Sequence, residues 1–303
     1  MLRIQKALPN SAIAAKRAID VLPEKRMTMK TCYMCHEPGV SKEHVPPRCI
    51  FPETKDVQEN LRQNLITVPS CDLHNSQKSD DDAFLLVSLA GIIGNNSIGY
   101  RQKITKVNRA LKRSAFRLLH ESLSNPRIEL LEYGPNQFVD VIWGTPDYDR
   151  LSTCFDRIAR GLHFHHFGTK FTGRTRTLLG YTANPKANPR EFQRFICEKV
   201  ASELKDKPRL GANPEVFSFQ FTDPDHFGLF VVHLQFYGGM DVFVGFMPAD
   251  WVKPPDLVME LINLGIETII REDGKTYIFN RKPTEQDQRT NPSEESKGEN
   301  TPA

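Results

Sequence analysis

The sequence predicts an α+β fold in which a compact unit rich in Cys and His precedes a basic helix and a larger region of mixed helices and strands. Four of the six cysteines lie within residues 32–71. Apolar residues recur at helical spacing over Tyr100–Ser122, and Arg and Lys occupy the other faces. After residue 136, a helical pattern is followed by short segments rich in β-branched and aromatic residues, which are typical of strands.

The chain is expected to consist of consecutive parts that differ in composition. The first is a basic arm, and the last is a polar tail without aromatic residues that is expected to be disordered. Met27 and Met29 stand just before the Cys-rich unit, so a translation start at either one explains the arm better than a transit peptide beginning at Met1. The predicted parts are the arm 1–28, the Cys- and His-rich module 29–95, the helical connector 96–135, the α+β accessory region 136–282 and the tail 283–303.

The bulk composition is that of an ordinary globular protein. The 303 residues are 39% hydrophobic and 25% charged, with a formal net charge of +3, which allows two domains and says little about partners. No segment approaches the roughly 20 apolar residues that a membrane-spanning helix needs, so we expect no membrane contact. The cysteines do not follow a secreted disulfide framework, because the chain is long and no secretory signal precedes them. We therefore expect a reducing, cytoplasmic location.

Two short motifs in the Cys- and His-rich module have the spacing of metal ligands. Cys32 and Cys35 form a C-x2-C pair, and Cys71 and His74 form a C-x2-H pair. Each pair can place two ligands on one tight turn, and two such turns make a closed tetrahedral site for a structural Zn²⁺ ion. Metal binding would supply much of the folding free energy of so small a unit.

These two motifs are also compatible with a different ligand set or a different chemistry. His36 could replace His74 as the fourth ligand, and Cys49 could compete with the other thiols. The run from Cys32 to His36 also spells the C-x-x-C-H motif of c-type haem attachment, but haem would leave the second pair unexplained. A thioredoxin-like redox pair would need a βαβ pattern, which is not present around Cys35. Two ordinary pairs of buried thiols are the remaining alternative.

The residues between and after these two pairs resemble the HNH endonuclease family. The matching residues are Glu43-His44, Asn64-Leu65, Asn75 and Lys78, and their order and spacing fit the family over about residues 30–90. The resemblance implies a ββα-metal module held by structural zinc. It also implies hydrolysis of phosphodiester bonds with a catalytic Mg²⁺ or Mn²⁺ ion.

The resemblance also assigns a role to each matching residue. His44 would be the general base, since an imidazole titrates near neutral pH. Glu43 and the Asn75 amide oxygen are hard donors suited to Mg²⁺ or Mn²⁺, and they stand where the family more often has Asp and His. Asn64 or a neighbouring backbone carbonyl would orient the imidazole, and Lys78 would contact a phosphate.

Acidic residues follow the second pair directly. Ser79 can cap a helix whose first turn carries Asp80, Asp81 and Asp82, and acids at this end complement the helix dipole. We therefore expect them to stabilise the helix rather than to bind metal.

The basic helix predicted over Tyr100–Ser122 is a candidate contact for the phosphate backbone. An ordinary solvated surface helix explains the same pattern equally well. The residues predicted to contact nucleic acid are Lys103, Lys106, Arg109, Lys112 and Arg113.

The accessory region is predicted to contain strands and helices but no catalytic motif. Phe138–Trp143 has the pattern of a strand, and Asp147–Phe164 has that of a helix with one apolar face. Gly238-Gly239 signals a hairpin. The predicted segments that follow are the strands Val216–Phe221, Gly228–Tyr237 and Met240–Met247, the helix Leu257–Leu264 and a hairpin through Asp273-Gly274.

The first expectation for function is therefore a metal-dependent endonuclease acting on DNA. A non-catalytic zinc module that binds nucleic acid or protein is the alternative, and an RNA nuclease is a third hypothesis, because a single-metal site contacts phosphate rather than base or sugar. Symmetric cutting of two strands would favour a homodimer. The accessory region could bind substrate or a regulatory protein partner.

Overall fold

The computed structural model describes residues 31–76, 79–182, 190–250, 261–262, 264–272 and 274–281. Several predictions fall outside these ranges. They concern the arm 1–28, the tail 283–303, Lys78 and most of the helix predicted over Leu257–Leu264.

The described chain is a mixture of helices and strands, as the α+β prediction requires. Its strands are β1 Ser41–His44, β2 Thr67–Ser70, β3 Leu123–Gly134, β4 Gln137–Pro146, β5 Arg174–Leu179, β6 Leu210–Asn213, β7 Phe217–Phe221, β8 Phe230–Phe236, β9 Met240–Met247, β10 Thr268–Glu272 and β11 Lys275–Phe279. Its α-helices are α1 Thr54–Val57, α2 Asp72–Ser76, α3 Ser79–Ala90, α4 Ser97–Gln102, α5 Asn108–Arg113, α6 Arg117–Ser122, α7 Tyr148–Phe167 and α8 Arg190–Leu204.

The Cys- and His-rich module is built on a small antiparallel sheet. In β1 and β2, Glu43 lies opposite Val68 and His44 lies opposite Thr67. The helices α2 and α3 follow β2, so the acidic residues after the second ligand pair occupy the first turn of α3, as predicted. One of them, Asp81, forms ion pairs with Arg150 and Arg157 of α7.

The larger sheet is antiparallel, with the strand order β5-β9-β8-β7-β6. The three strands predicted between residues 216 and 247 are its β7, β8 and β9, and the turn at Gly238-Gly239 joins the last two. The helix α7 agrees with the predicted helix, and it begins after Asp147, whose side chain accepts a hydrogen bond from the Arg150 amide. The strand β5 and the helix α8 have no counterpart among the predicted elements.

The helix α7 lies between the large sheet and the Cys- and His-rich module. Its buried face carries Phe155, whose ring is 5.9 Å from that of Phe236 in β8. At Gly161 the helix comes so close to the module that a Cβ atom would stand 2.7 Å from Cγ2 of Val45. One continuous hydrophobic cluster therefore runs from Cys32 to Phe246. The predicted domain boundaries stay predictions, but this cluster crosses those at 95 and 135.

The predicted basic helix over Tyr100–Ser122 is wrong as a single helix. It is α4, a π-helical turn over Lys103–Val107, α5 and α6. Ala115 and Phe116 adopt left-handed backbone angles, and the Phe116 amide donates to the Leu111 carbonyl, which ends α5. Neither residue is Gly or Asn, the usual signals of such an ending, so the sequence did not indicate it.

Two hairpins lie outside the large sheet. In one, β3 pairs with β4, which contains the predicted strand Phe138–Trp143. The helix before it ends at Ser122, ahead of Asn125-Pro126, and the pairing is irregular between Ser124 and Arg127. In the other hairpin, β10 pairs with β11 around the predicted turn.

The short 3-10 helix Arg48–Ile50 is held by side chains from distant parts of the chain. The buried Ile50 carbonyl accepts hydrogen bonds from the Tyr237 phenol (2.6 Å) and the Gln102 amide (2.8 Å). Burial raises the pKa of the Tyr237 phenol far above its usual range, so the phenol stays a donor. The residues that follow His44 are thereby attached to both α4 and the large sheet.

No helix within the described residues is both long enough and apolar enough to cross a membrane.

Replacement of Tyr237 by Phe removes this donor and keeps the ring. We expect Tyr237→Phe to lower the free energy of unfolding by about 1 kcal/mol, because a buried carbonyl loses one of its two donors. Urea denaturation measures the change, and Tyr100→Phe is the control, because Tyr100 is exposed and its hydroxyl accepts a long, exposed hydrogen bond from the Gly94 amide. The control should stay within about 0.5 kcal/mol of the wild type. Equal stability of Tyr237→Phe and the wild type would contradict the expectation.

Candidate metal centre and the residues around it

The two predicted ligand pairs come together at one end of the small sheet. Cys32 and Cys35 lie on a loop closed by the hydrogen bond from the Cys32 amide to the Glu37 carbonyl. Cys71 follows β2 directly, and His74 lies in the first turn of α2, where its amide donates to the Cys71 carbonyl. The two ligand-bearing turns are thus attached to β1 and β2.

Of three separations between ligand atoms, two fit a tetrahedral zinc site and the third is shorter. The Sγ atoms of Cys35 and Cys71 are 3.7 Å apart, and Nδ1 of His74 lies 3.7 Å from Sγ of Cys32 and 3.1 Å from Sγ of Cys71. Ligands bound to one zinc ion at about 2.0–2.3 Å lie about 3.5–3.8 Å from one another. All four ligand atoms lie within 4.8 Å of one another, so the cluster could hold a metal ion such as zinc.

The surroundings of Cys32 favour the ionised form that binds metal, whereas burial raises the pKa of Cys35. Burial opposes ionisation of Cys32, but the backbone N–H groups of Met34, Cys71 and Cys35 outweigh it, and the pKa of Cys32 is lowered. The Met34 amide donates to Sγ of Cys32 over 3.4 Å. Backbone amides therefore stabilise the Cys32 thiolate even without a bound metal ion.

The competing ligands are engaged elsewhere. His36 is exposed, and its Nδ1 lies 3.3 Å from Nζ of Lys170. The Cys49 thiol donates to the carbonyl of Asp82. The cluster that could hold a metal therefore includes His74 and neither of these two residues. Lys170, which follows α7, also donates to the Cys35 carbonyl over 2.8 Å, so the C-terminal half contacts the metal-binding loop.

Glu43 is a buried carboxylate in the centre of β1. Its side chain is 4% exposed, and the Tyr33 phenol donates to Oε1 over 3.1 Å. Burial, followed by the charge of Glu43, raises the pKa of Tyr33 well above its usual range. The hydrogen bond between phenol and carboxylate ties Glu43 to the residue that follows the first ligand.

His44 ends β1, and its side chain is half-buried. Successive side chains of a strand point to opposite faces, so the imidazole lies on the face opposite to that of Glu43 and Ser41. Burial, and next the positive charge of Arg48, lower the pKa of His44, while Glu43 opposes them. The imidazole is therefore neutral at pH 7.

The two predicted asparagines lie at opposite ends of β1. The Asn75 amide donates to Oγ of Ser41 over 2.9 Å, two residues before Glu43 on the same face. Asn64 lies at the other end of the sheet, in an exposed turn with a left-handed φ of 51°. Among the described residues, no hydrogen bond joins its side chain to His44. The structure therefore brings Asn75 to the Glu43 face of β1 and keeps His44 on the other.

Three of the five predicted nucleic-acid contacts are engaged within the protein. Lys103 is 4% exposed and forms an ion pair with Asp140, so it is a buried structural cation. Arg109 forms a two-point ion pair with Asp56. Lys106 is half-buried, and its Nζ donates to the Cys49 carbonyl over 3.0 Å.

The other two, Lys112 and Arg113, are exposed at the end of α5. Regular helical periodicity places all five on exposed faces, whereas the π-helical turn directs Lys103 inward. The prediction is thus corrected for Lys103, which is not available to a ligand.

Two cations were missed at the level of sequence, Arg48 near His44 and Arg62 near Arg48. Arg48 is exposed and follows His44 by four residues, and Arg62 precedes Asn64 by two. The charge of Arg48 acts on both His44 and Arg62. Arg48 directly follows Pro46 and Pro47, so its closeness to His44 could have been read from the sequence. No signal in the residues around Arg62 indicates that it lies near Arg48.

Loss of one ligand should empty the metal centre. We expect the purified chain to hold about one zinc ion and Cys71→Ser to lose it, because three ligands do not close a structural site. Elemental analysis measures the metal content, and calorimetry should show a lower melting temperature for the variant. Cys197→Ser is the control, because Cys197 lies on α8 in a separate apolar cluster. Full metal content in Cys71→Ser would contradict the assignment.

Comparison of the chain with protein-family models, with curated proteins and with solved structures finds no match. The resemblance to HNH endonucleases therefore depends on the residues between Cys32 and Lys78 alone. The structure adds a mixed α+β fold and a cluster of three cysteines and one histidine that could hold a metal ion.

Proposed function

We propose that the chain is a metal-dependent endonuclease of the HNH type that hydrolyses phosphodiester bonds of DNA. The observation that carries the proposal is the Cys32, Cys35, Cys71 and His74 cluster, whose two turns flank the strand that bears Glu43 and His44. The donor set suits zinc, which would have a structural role, since all four positions of a tetrahedron are taken by the protein.

The residues on β1 and α2 have the chemistry that phosphodiester hydrolysis needs. His44 is half-buried and neutral, so it can accept a proton from an attacking water molecule. The oxygen atoms of Glu43 and Asn75 are hard donors that fit Mg²⁺ or Mn²⁺. Such a cation would supply charge neutralisation at the phosphate. Asn75 can donate to Ser41 through its nitrogen and still offer its amide oxygen.

DNA is the proposed substrate, and Lys78, Lys112 and Arg113 are the proposed backbone contacts. Attack by water with the 3′ oxygen as leaving group, as the resemblance implies, would leave 5′-phosphate and 3′-hydroxyl ends. RNA has the same phosphodiester group, so an RNA nuclease uses the same site.

A second function is favoured by the surroundings of Glu43. The carboxylate is buried and bonded to the Tyr33 phenol, and His44 points to the other face of β1. A non-catalytic zinc module that binds nucleic acid or protein would use Glu43 only to stabilise the ligand-bearing loop. An assay of nucleic-acid cleavage distinguishes the two functions, because only the endonuclease would cleave.

Removal of the proposed base is the direct test. We expect the wild-type protein to nick or linearise supercoiled plasmid in the presence of Mg²⁺ or Mn²⁺ and to be inactive with EDTA. His44→Ala should reduce the rate by about 10²–10⁴-fold, because a positioned general base contributes that much.

The matched control is His226→Ala, because His226 is exposed in the turn before β8. It should cleave at the wild-type rate, and both variants should keep the wild-type zinc content. Wild-type activity in His44→Ala would remove His44 from the mechanism. Absence of cleavage of both plasmid and RNA by the zinc-loaded wild type would favour the binding module.

A further inference from the structure

We propose that Arg48, Arg62 and Lys106 form a phosphate-binding cluster that holds the polynucleotide backbone beside His44. We call these three residues the basic cluster. The inference rests on the proposed function, which it extends by identifying the residues that position the substrate.

The side chains of Arg62 and Lys106 converge on the short backbone segment that Arg48 begins. Arg48 begins the 3-10 helix, Nζ of Lys106 donates to the carbonyl of Cys49, and Nε of Arg62 donates to the carbonyl of Phe51 over 3.0 Å. Lys106 and Arg62 are separated from this segment along the chain, so only the fold brings them together. Both are anchored through one nitrogen, and the Arg62 guanidinium has further N–H groups to offer a ligand.

Acidic side chains in the neighbourhood neutralise the cluster only in part, through an ion pair between Glu53 and Arg62. Asp56 is bound by Arg109, and Glu53 lies 2.6 Å from Lys55 but 3.6 Å from Arg62. Among the described residues, neither Arg48 nor Lys106 has a carboxylate within ion-pair distance. The basic cluster therefore carries more positive charge than its surroundings compensate.

The positive charges of the cluster lower one another's pKa values. Burial lowers the pKa of Arg62, and the charge of Arg48 lowers it further, against the opposing effect of Glu53. Burial likewise lowers the pKa of Lys106, and the charge of Arg62 adds to this. Like charges that are held together and partly desolvated destabilise the free protein, and an anion bound between them removes that cost.

The position of the cluster relative to His44 is set by packing. Only Val45, Pro46 and Pro47 separate His44 from Arg48, and all three are buried. Val45 is in close contact with Gly161 of α7, and the Ile50 carbonyl is held by Tyr237 and Gln102. The segment that bears Arg48 is thus held in place next to His44, on whose pKa the charge of Arg48 acts.

The chemistry of the cluster points to a backbone phosphate. A phosphodiester carries one negative charge per nucleotide, and guanidinium groups bind phosphate oxygens in a two-point geometry. Contacts of this kind position a polynucleotide without reading its sequence. The ligand class is therefore the phosphate backbone of DNA or RNA.

The test measures binding without cleavage. Full-length, zinc-loaded protein carrying His44→Ala is titrated into a fluorescent DNA duplex, and separately into a single-stranded RNA, at several salt concentrations. Adding Arg48→Gln and Lys106→Gln should weaken binding by tenfold or more at about 0.15 M salt. The slope of log affinity against log salt should fall by about two, one for each lost phosphate contact.

The matched control removes an Arg and a Lys from another surface. Arg194 and Lys199 lie on α8, each paired with a Glu four residues later, and the two Gln replacements should change affinity less than twofold. Arg48→Gln alone is the second variant, because Arg48 is exposed and its loss leaves the anchored side chains in place. It should weaken binding about threefold to tenfold and reduce the slope by about one.

The outcomes separate this inference from the proposed function. Loss of affinity for only one nucleic acid identifies that backbone as the ligand. Unchanged affinity and salt slope in Arg48→Gln, or an equal loss in the α8 control, would overturn the basic cluster even if the wild type cleaves plasmid. Lack of binding to both nucleic acids would also overturn it, whereas the proposed function fails only if cleavage is absent.

Discussion

The structure around His44 depends on one constraint: backbone carbonyls that are removed from water must accept hydrogen bonds from the protein. The segment after His44 turns sharply and buries its own carbonyl groups, of which those of Cys49, Ile50 and Phe51 accept bonds from side chains. An unsatisfied buried carbonyl costs about 1–3 kcal/mol, so these donors are required. They come from the turn before Asn64, from the helical connector and from the large sheet. The residues beside the candidate base are therefore positioned by the whole chain.

The metal centre adds a second constraint at the opposite end of β1. Its four ligands join the loop before β1 to the turn after β2, and Tyr33, next to the first ligand, binds the Glu43 carboxylate. Binding of zinc would stabilise the small sheet and its buried carboxylate together, since a site with four protein ligands couples metal binding to folding. Lys170 extends this coupling to the C-terminal half through the Cys35 carbonyl.

The accessory region consequently has a structural connection to the proposed chemistry. The helix α7 touches Val45 through Gly161 and binds Asp81 through two arginines, while Asn213 of β6 donates to the Gln63 carbonyl, next to Asn64. A two-domain arrangement with an independent nuclease would not need these contacts. A site assembled from both halves is positioned precisely only when the entire chain is folded.

The sequence by itself determined the elements whose signals are local. Ligand spacing identified the four residues of the candidate metal cluster, and periodicity identified α7 and the central strands, because each signal is contained in a few consecutive residues. The fate of the basic residues was decided by the tertiary structure. Lys103 lies buried against Asp140, and Arg48, Arg62 and Lys106 converge, because pairing and burial depend on neighbours that are distant in the chain. A cation's charge can be read from sequence, but what compensates that charge is a property of the fold.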